Sequence, residues 1–246
     1  FRSLISKFSH RLSRYLKIFE TSIKNLKQST GSNSMKCKTL TSQKLPDIFI
    51  ASSGRSGTTL LVKMLNSSEQ ISIPYESDFI TRAYPFYLDK DSFTESDYQK
   101  ISQIFERSSQ PPMWNMSHDY LVSFLQDKAP QTFTDVISCI CEAYHRKTGT
   151  EEARWGIKAP VLIANLDRIF NLFPNCKMIH IVRDGRDVCL SYQAIHNNQK
   201  IEEKFGPKGV VANALYWIDG LRRIERISSF EIYEFRNEDL IKMPKN

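Results

Sequence analysis

The chain has 246 residues, of which 41% are hydrophobic and 25% are charged, and these proportions are typical of a globular chain large enough for one full core. Its net charge of +7 comes from the N-terminus, because residues 1–46 hold 10 of the 34 Lys and Arg residues but a single acid. The remaining 24 basic and 26 acidic residues nearly balance, which argues against a nucleic-acid partner.

The sequence divides into a basic amphipathic arm with a linker, residues 1–45, and an α/β domain, residues 46–246. At the start of the arm, apolar side chains recur at helical spacing and the basic side chains lie mostly off that stripe. Such a helix could contact an anionic membrane surface, or pack against the domain or a partner, and the pattern favours neither. No run of about 18 apolar residues predicts a transmembrane helix. The start at Phe1 instead of Met is consistent with a missing upstream segment.

The segment Asp47–Leu65 carries the strongest local pattern. The apolar run Ile48–Ala51 predicts a buried parallel strand, and apolar residues at helical spacing begin after residue 59. A small-residue turn lies between them. A strand, a glycine turn and a helix N-terminus together favour phosphate binding, because backbone N–H groups and the helix dipole converge on the anion. The predicted phosphate-binding residues are Gly54, Arg55, Ser56, Gly57, Thr58 and Thr59.

This turn departs from the nucleoside-triphosphate loop GxxxxGK[ST] in two places. Ser52 stands where that pattern has its first glycine, and Thr58 stands where it has the lysine that reaches the β- and γ-phosphates. The cation is instead Arg55, inside the turn. These departures argue against ATP or GTP hydrolysis and favour a nucleotide with a different 5′ end.

The remaining elements alternate between strands and helices, which predicts an α/β fold. We expect three layers in a P-loop-like arrangement, with a mostly parallel central sheet flanked by helices and a ligand at the carboxyl ends of the strands. Tyr216 and Trp217 are interpreted as core residues of a helix, and His180 as structural. Predicted strands or extended segments cover residues 70–74, 154–158, 177–183 and 230–236, and predicted helices cover 78–88, 94–108, 117–127, 131–147, 161–172, a segment capped by Asp184, and 208–228.

Charged side chains follow several of these strands. Glu76 follows residues 70–74, Lys158 ends one strand and Arg183 ends another. Because the loop after a parallel strand lies at the carboxyl edge of the sheet, we expect Glu76 beside the phosphate-binding turn. Two of the three also have an ordinary interpretation, Glu76 as a solvated loop acid or helix-cap neighbour and Lys158 as a surface lysine at a strand end.

The cysteines do not form a metal-binding pattern, and no metal site is predicted. Their spacing fits no zinc site, and free thiols are expected. The five are Cys37, Cys139, Cys141, Cys176 and Cys189.

Two motifs resemble those of the sulfotransferases, which use 3′-phosphoadenosine 5′-phosphosulfate (PAPS) and release adenosine 3′,5′-bisphosphate (PAP). The segment GRSGTT, residues 54–59, is similar to their 5′-phosphosulfate loop. Arg183 followed eight residues later by Ser191 is similar to their 3′-phosphate motif. The resemblance covers about residues 46–246, and it implies PAPS as cosubstrate, Arg183 and Ser191 on its 3′-phosphate, and no metal.

The resemblance is greatest to the tyrosylprotein-sulfotransferase-like branch. Glu76 lies 21 residues after Arg55, as the catalytic base of that branch does after its loop arginine. The segment around Lys158 is similar to one whose lysine contacts the reacting sulfuryl group. The resemblance thus implies that Glu76, Arg55 and Lys158 are catalytic. An alternative makes Glu76 only an ion-pair partner of Arg55 or Lys158.

Two departures from the family pattern keep other functions open. Asn237 stands where the family usually has tyrosine, and the resemblance implies that the family's usual C-terminal segment is missing after residue 246. The expected function is sulfuryl transfer to a hydroxyl of a glycan, a protein tyrosine or a small molecule. The alternatives are a P-loop nucleotide kinase or NTPase, and a non-catalytic PAP-binding relative. Golgi, membrane-associated and cytoplasmic locations all fit the sequence.

Overall fold

The computed structural model describes residues 44–108, 111–198, 205–227 and 231–242. The predicted N-terminal arm therefore lies almost entirely outside the described residues. Of the helices within those ranges, none has both the length and the apolarity needed to cross a membrane.

A parallel five-stranded sheet forms the centre of the described chain. The order across the sheet is β2-β3-β1-β4-β5, and each neighbouring pair is parallel. Ile50 of the central strand lies opposite Lys158 on one side and Ile179 on the other. The turn after the central strand therefore leaves the sheet between the ends of β3 and β4. The strands are β1 (Ile48–Ala51), β2 (Ile71–Ser72), β3 (Arg154–Lys158), β4 (Lys177–Val182) and β5 (Ile232–Arg236).

Helices connect the strands, as the alternating sequence pattern predicts. The α-helices in the described ranges are α1 (Thr58–Leu65), α2 (Phe79–Tyr87), α3 (Glu95–Glu106), α4 (His118–Lys128), α5 (Phe133–Thr148), α6 (Leu166–Leu172), α7 (Gly185–Asn197), α8 (Val210–Glu225) and α9 (Asn237–Lys242). Two 3₁₀-helices cover Pro111–Trp114 and Pro160–Ala164.

Two apolar cores cover opposite faces of the sheet, and β1 contributes to both. Ile48 and Ile50 pack on one face, together with residues of α1 and with Leu240 of α9. Phe49 and Ala51 point to the other face, into the larger core that α2, α3, α5 and α6 complete. The alternation of one strand between two helical layers confirms the predicted three-layer α/β fold.

The structure shortens one predicted strand and divides one predicted helix. The 70–74 strand is limited to Ile71–Ser72, because the side chain of Asn66 occupies both the N–H and the C=O of Ile73, at 2.9 and 2.8 Å. The predicted 161–172 helix breaks at Asn165, whose φ is −133° and whose amide donates to the carbonyl of Val161 at 3.0 Å. Asparagine side chains compete with helical backbone bonds in this way.

Candidate active site

A turn of small residues, the phosphate loop (Ser52–Gly57), joins β1 to α1. Ser56 anchors it from within, because its buried hydroxyl donates to the carbonyl of Ser53 at 2.7 Å. Arg55 adopts a left-handed conformation with φ of 69°. Such a conformation costs a residue other than glycine about 1–3 kcal/mol, so the surrounding contacts must hold it.

Backbone N–H groups at the end of this loop are available to a ligand. Within the described chain, the N–H groups of residues 56–59 have no hydrogen-bond acceptor, whereas those of Leu60 and Leu61 bond the carbonyl of Gly57 at 3.0 and 3.1 Å. The α1 dipole adds partial positive charge at the same place. The geometry is therefore that of an anion-binding helix N-terminus.

Two glycines allow close approach to the loop. Gly57 has a φ of 92°, and a Cβ placed there would overlap the Oδ1 atom of Asn237. A Cβ on Gly54 would overlap the hydroxyl oxygen of Tyr192. Both side chains are buried, so larger residues at positions 54 and 57 would displace them.

The second motif lies directly against the phosphate loop. Arg183 follows β4, and its Nη1 donates to the carbonyl of Arg55 at 3.1 Å. Ser191 lies on α7, and its hydroxyl accepts a hydrogen bond from Nε of Arg55 at 2.9 Å. Folding thus joins residues that are separated by 128 and 136 positions in the sequence.

The α7 helix begins at the residue that the sequence predicts as its cap. A carboxylate oxygen of Asp184 accepts a hydrogen bond from the N–H of Arg186 at 2.9 Å. Hydrogen bonds from Arg186 lower the pKa of Asp184 to about 2. The cap fixes where α7 starts, and so where Ser191 lies relative to Arg183.

Glu76 and Lys158 form an ion pair next to the loop. The Nζ atom of Lys158 lies 2.6 Å from Oε2 of Glu76. The Lys158 side chain is 7% exposed and that of Glu76 is 26% exposed, so the carboxylate remains open to a ligand. The other oxygen, Oε1, has no hydrogen-bond partner among the described residues. The ion pair is therefore present, and it is compatible both with a catalytic Glu76 and with a Glu76 that acts only as the partner of Lys158.

The parallel register places the Glu76–Lys158 pair beside the phosphate loop, because Lys158 lies opposite Ile50, two residues before the loop begins. The Tyr192 hydroxyl packs on Gly54 of the same loop. Burial raises the pKa of Tyr192, and so does the neighbouring Tyr216, while Arg55 opposes the increase.

Helix α8 contributes two contacts to the site that the sequence does not predict. The hydroxyl of Tyr216 accepts a hydrogen bond from the N–H of Gly54 at 3.0 Å. The Nε1–H of Trp217 donates to the carbonyl of Arg183 at 2.9 Å. Both rings are half-buried, and no spacing rule in the sequence marks adjacent aromatics on a helix as loop contacts.

Other polar residues occupy structural positions. His180 is buried within β4, and its Nδ1 lies 3.0 Å from Glu234. Burial lowers the pKa of His180, although Glu234 opposes this shift. Across the described ranges, no group of three His, Cys, Asp or Glu side chains could hold a metal ion. The four described cysteines, Cys139, Cys141, Cys176 and Cys189, are free thiols.

Comparison with known proteins adds a family match to this geometry. The sequence matches a protein-family profile described as Sulfotransferase family over residues 46–246. Among solved structures, the sulfotransferase domain from the curacin biosynthetic pathway has a TM-score of 0.51 and 22% identity, covering 83% of this chain and 71% of that chain. At this identity the likeness concerns the fold alone.

Two mycobacterial proteins are also similar, with lower TM-scores. Sulfotransferase STF9 from Mycobacterium avium gives 0.44 at 16% identity, covering 81% of this chain and 61% of its own. Sulfotransferase STF1 from Mycobacterium tuberculosis H37Rv gives 0.42 at 18% identity, covering 81% of this chain and 64% of its own. No curated protein matches the chain significantly.

Proposed function

The chain belongs to the sulfotransferase family, and we propose that it transfers a sulfuryl group from PAPS to a hydroxyl group of an acceptor. The strongest support is that the phosphate loop and the Glu76–Lys158 pair lie next to each other. The N–H groups of residues 56–59 have no acceptor among the described residues, and Arg55 lies in the same turn. The Glu76–Lys158 pair adjoins this turn, because Lys158 lies opposite Ile50, two residues before the turn begins. A phosphate-binding turn next to a partly exposed carboxylate and a buried lysine suits group transfer to a hydroxyl.

In this proposal the chain holds the donor nucleotide at both of its phosphates. The N–H groups of residues 56–59 bind the 5′ side, where the α1 dipole also attracts negative charge. Arg183 and Ser191 bind the 3′-phosphate, the arginine as a forked donor and the serine through its hydroxyl. The Ser191 hydroxyl accepts from Arg55, and it retains its own proton to donate to a phosphate oxygen.

The proposed reaction is an in-line displacement at sulfur, with PAPS supplying the sulfuryl group. As the acceptor oxygen forms its bond to sulfur, Oε1 of Glu76 accepts the hydroxyl proton. The bond between sulfur and the 5′-phosphate oxygen breaks, and its electrons stay on PAP. Lys158 and Arg55 stabilise the negative charge on the sulfuryl and phosphate oxygens. Lys158 also holds Oε2 of Glu76, which orients Oε1 toward the acceptor side.

The same geometry weighs against the kinase alternative. Thr58 occupies the place of the Walker lysine, and Lys158 is held by Glu76 at 2.6 Å. A transferase that uses ATP would need another cation for the γ-phosphate.

Ligand binding separates these proposals. Thermal-shift measurements with PAP and with ATP–Mg²⁺ should show stabilisation by PAP alone, and stabilisation only by ATP–Mg²⁺ would contradict the sulfotransferase proposal. Incubation with labelled PAPS and a panel of glycan, tyrosine-peptide and phenol acceptors should then give a labelled product. Binding of PAP without turnover on any of these classes would favour a non-catalytic relative.

A further inference from the structure

Two neighbouring residues of α8 each hold one of the two motifs proposed to bind the nucleotide. Tyr216 accepts the N–H of Gly54 in the phosphate loop at 3.0 Å. Trp217 donates to the carbonyl of Arg183 at 2.9 Å, and its ring packs against Gly185. Because the two residues are adjacent on one helix, α8 fixes the position of one motif relative to the other.

Tyr192 fills the space between the loop and α8. Its hydroxyl packs on Gly54, and its ring also contacts Gly206. The ring stands edge-on to that of Tyr216, with centroids 6.1 Å apart. Tyr192 lies next to Ser191 on α7, so α7 contacts the loop through two consecutive residues.

These contacts set the distance between the two motifs, and a nucleotide with a 5′- and a 3′-phosphate requires a matching distance between its two phosphate sites. A site that already holds both phosphate-binding motifs at that span loses less entropy on binding than one whose loop must be ordered first. The N–H of Gly54 is directed to Tyr216, whereas the N–H groups of residues 56–59 have no acceptor among the described residues and are open to the 5′-phosphate. Trp217 and Arg183 also line a common cavity of about 400 Å³ at the ends of β4 and β5.

We infer that Tyr192, Tyr216 and Trp217, the aromatic brace, are positioning residues that set the geometry between the 5′- and 3′-phosphate sites. Tyr216 supports the 5′ site and Trp217 the 3′ site. The inference rests on the proposed function, because it concerns the same nucleotide. It adds to that function three residues that act through the loop and Arg183 without touching the reacting atoms.

Calorimetric titration of single variants with three nucleotides tests this division. Tyr216→Phe should weaken binding of PAP and of adenosine 5′-phosphate by about three- to tenfold, the worth of one hydrogen bond, and leave adenosine 3′-phosphate unchanged. Trp217→Phe should weaken PAP and adenosine 3′-phosphate by a similar factor and leave adenosine 5′-phosphate unchanged. Tyr120→Phe is the matched control, because its hydroxyl donates to the carbonyl of Ala143 away from the loop.

The outcomes are distinct from those of a general loss of stability. Equal losses for all three nucleotides, or PAP binding that is unchanged or tighter in both variants, would overturn the inference while wild-type PAP binding still supports the proposed function. A wild-type protein that binds PAP no better than adenosine would overturn both.

A rescue experiment tests the contact of Tyr192 directly. Gly54→Ala should reduce PAP affinity, because the new Cβ overlaps the Tyr192 hydroxyl. That Cβ would lie 3.4 Å from Cζ of the same ring, an ordinary contact, so Tyr192→Phe should restore most of the affinity in the double variant. A double variant no better than Gly54→Ala would count against the brace. This comparison holds even if single Trp217 variants fold poorly.

Discussion

The role of Glu76 can be tested by replacing it with glutamine. In the Glu76→Gln variant the new side chain would keep the shape of the old one and could still accept a hydrogen bond from Lys158, but it could not take a proton from an acceptor. If Glu76 is the general base, turnover should fall by about 10²–10⁴-fold, which corresponds to about 3–5 kcal/mol in activation free energy. PAP affinity should stay nearly unchanged, because the base faces the acceptor.

The structure gives a different magnitude for the case in which Glu76 acts only as the partner of Lys158. Exchanging a charged for a neutral acceptor at 2.6 Å from a lysine that is 7% exposed should cost about 1–2 kcal/mol of stability. If the activation free energy rose by that whole amount, turnover would fall by only about 5–30-fold. PAP affinity would also change, since Lys158 would be free to attract the phosphate.

Glu142→Gln is a suitable control for this experiment. Glu142 pairs with Lys128 at 2.7 Å, and the two side chains are 17% and 27% exposed. It also pairs with Arg146 at 2.7 Å, so the variant weakens two ion pairs away from the phosphate loop, one of them between α4 and α5. Single-turnover rates with PAPS and an acceptor from the panel, together with PAP affinities, should be measured for both variants. Turnover by Glu76→Gln within about threefold of wild type would rule out the base assignment.

Three further predictions follow from particular residues. Arg183→Ala should weaken PAP binding by about 1.5–3 kcal/mol and hardly affect adenosine 5′-phosphosulfate, which lacks the 3′-phosphate, in parallel titrations. Gly57→Ala should abolish PAP binding, because a Cβ there meets Asn237 as well as the strain of a positive φ. Its control is Gly149→Ala, at φ of 66° with open space around it, which should cost only about 1–2 kcal/mol in chemical denaturation and leave PAP binding intact. Burial, together with nearby positive charge, lowers the pKa of His145 to about 3. Only the unfolded chain then gains this proton below its ordinary pKa of about 6.5, so denaturation should show about 2 kcal/mol less stability at pH 5 than at pH 7.

Each of these has an outcome that would contradict it. Equal losses for PAP and adenosine 5′-phosphosulfate would remove Arg183 from the 3′-phosphate site. PAP binding retained by Gly57→Ala would show that the loop tolerates a side chain against Asn237. A stability profile with the same slope between pH 7 and pH 5 in wild type and His145→Phe would assign the pH dependence to other groups.

The elements that the sequence predicts well are those with a strong local pattern. β1 follows from a run of four apolar residues, and α7 begins at Asp184, the residue that the sequence predicts as its cap. The motif residues could be placed at the carboxyl edge of the sheet because parallel strands end there. The break at Asn165 could not be predicted, because it depends on one side chain competing with the backbone.

The contacts that complete the site instead join residues that are far apart in the sequence. Arg55 meets Ser191 across 136 positions and Gly54 meets Tyr216 across 162, so neither contact leaves a periodic trace in the sequence. A half-buried tyrosine can pack in the core and still present a polar hydroxyl at its edge, and the two situations have the same sequence pattern. Packing in the core is therefore only part of what Tyr216 does, since its ring packs beside Tyr192 and its hydroxyl oxygen accepts a hydrogen bond from the phosphate loop. The contacts of α8 with both motifs are therefore visible only in the fold.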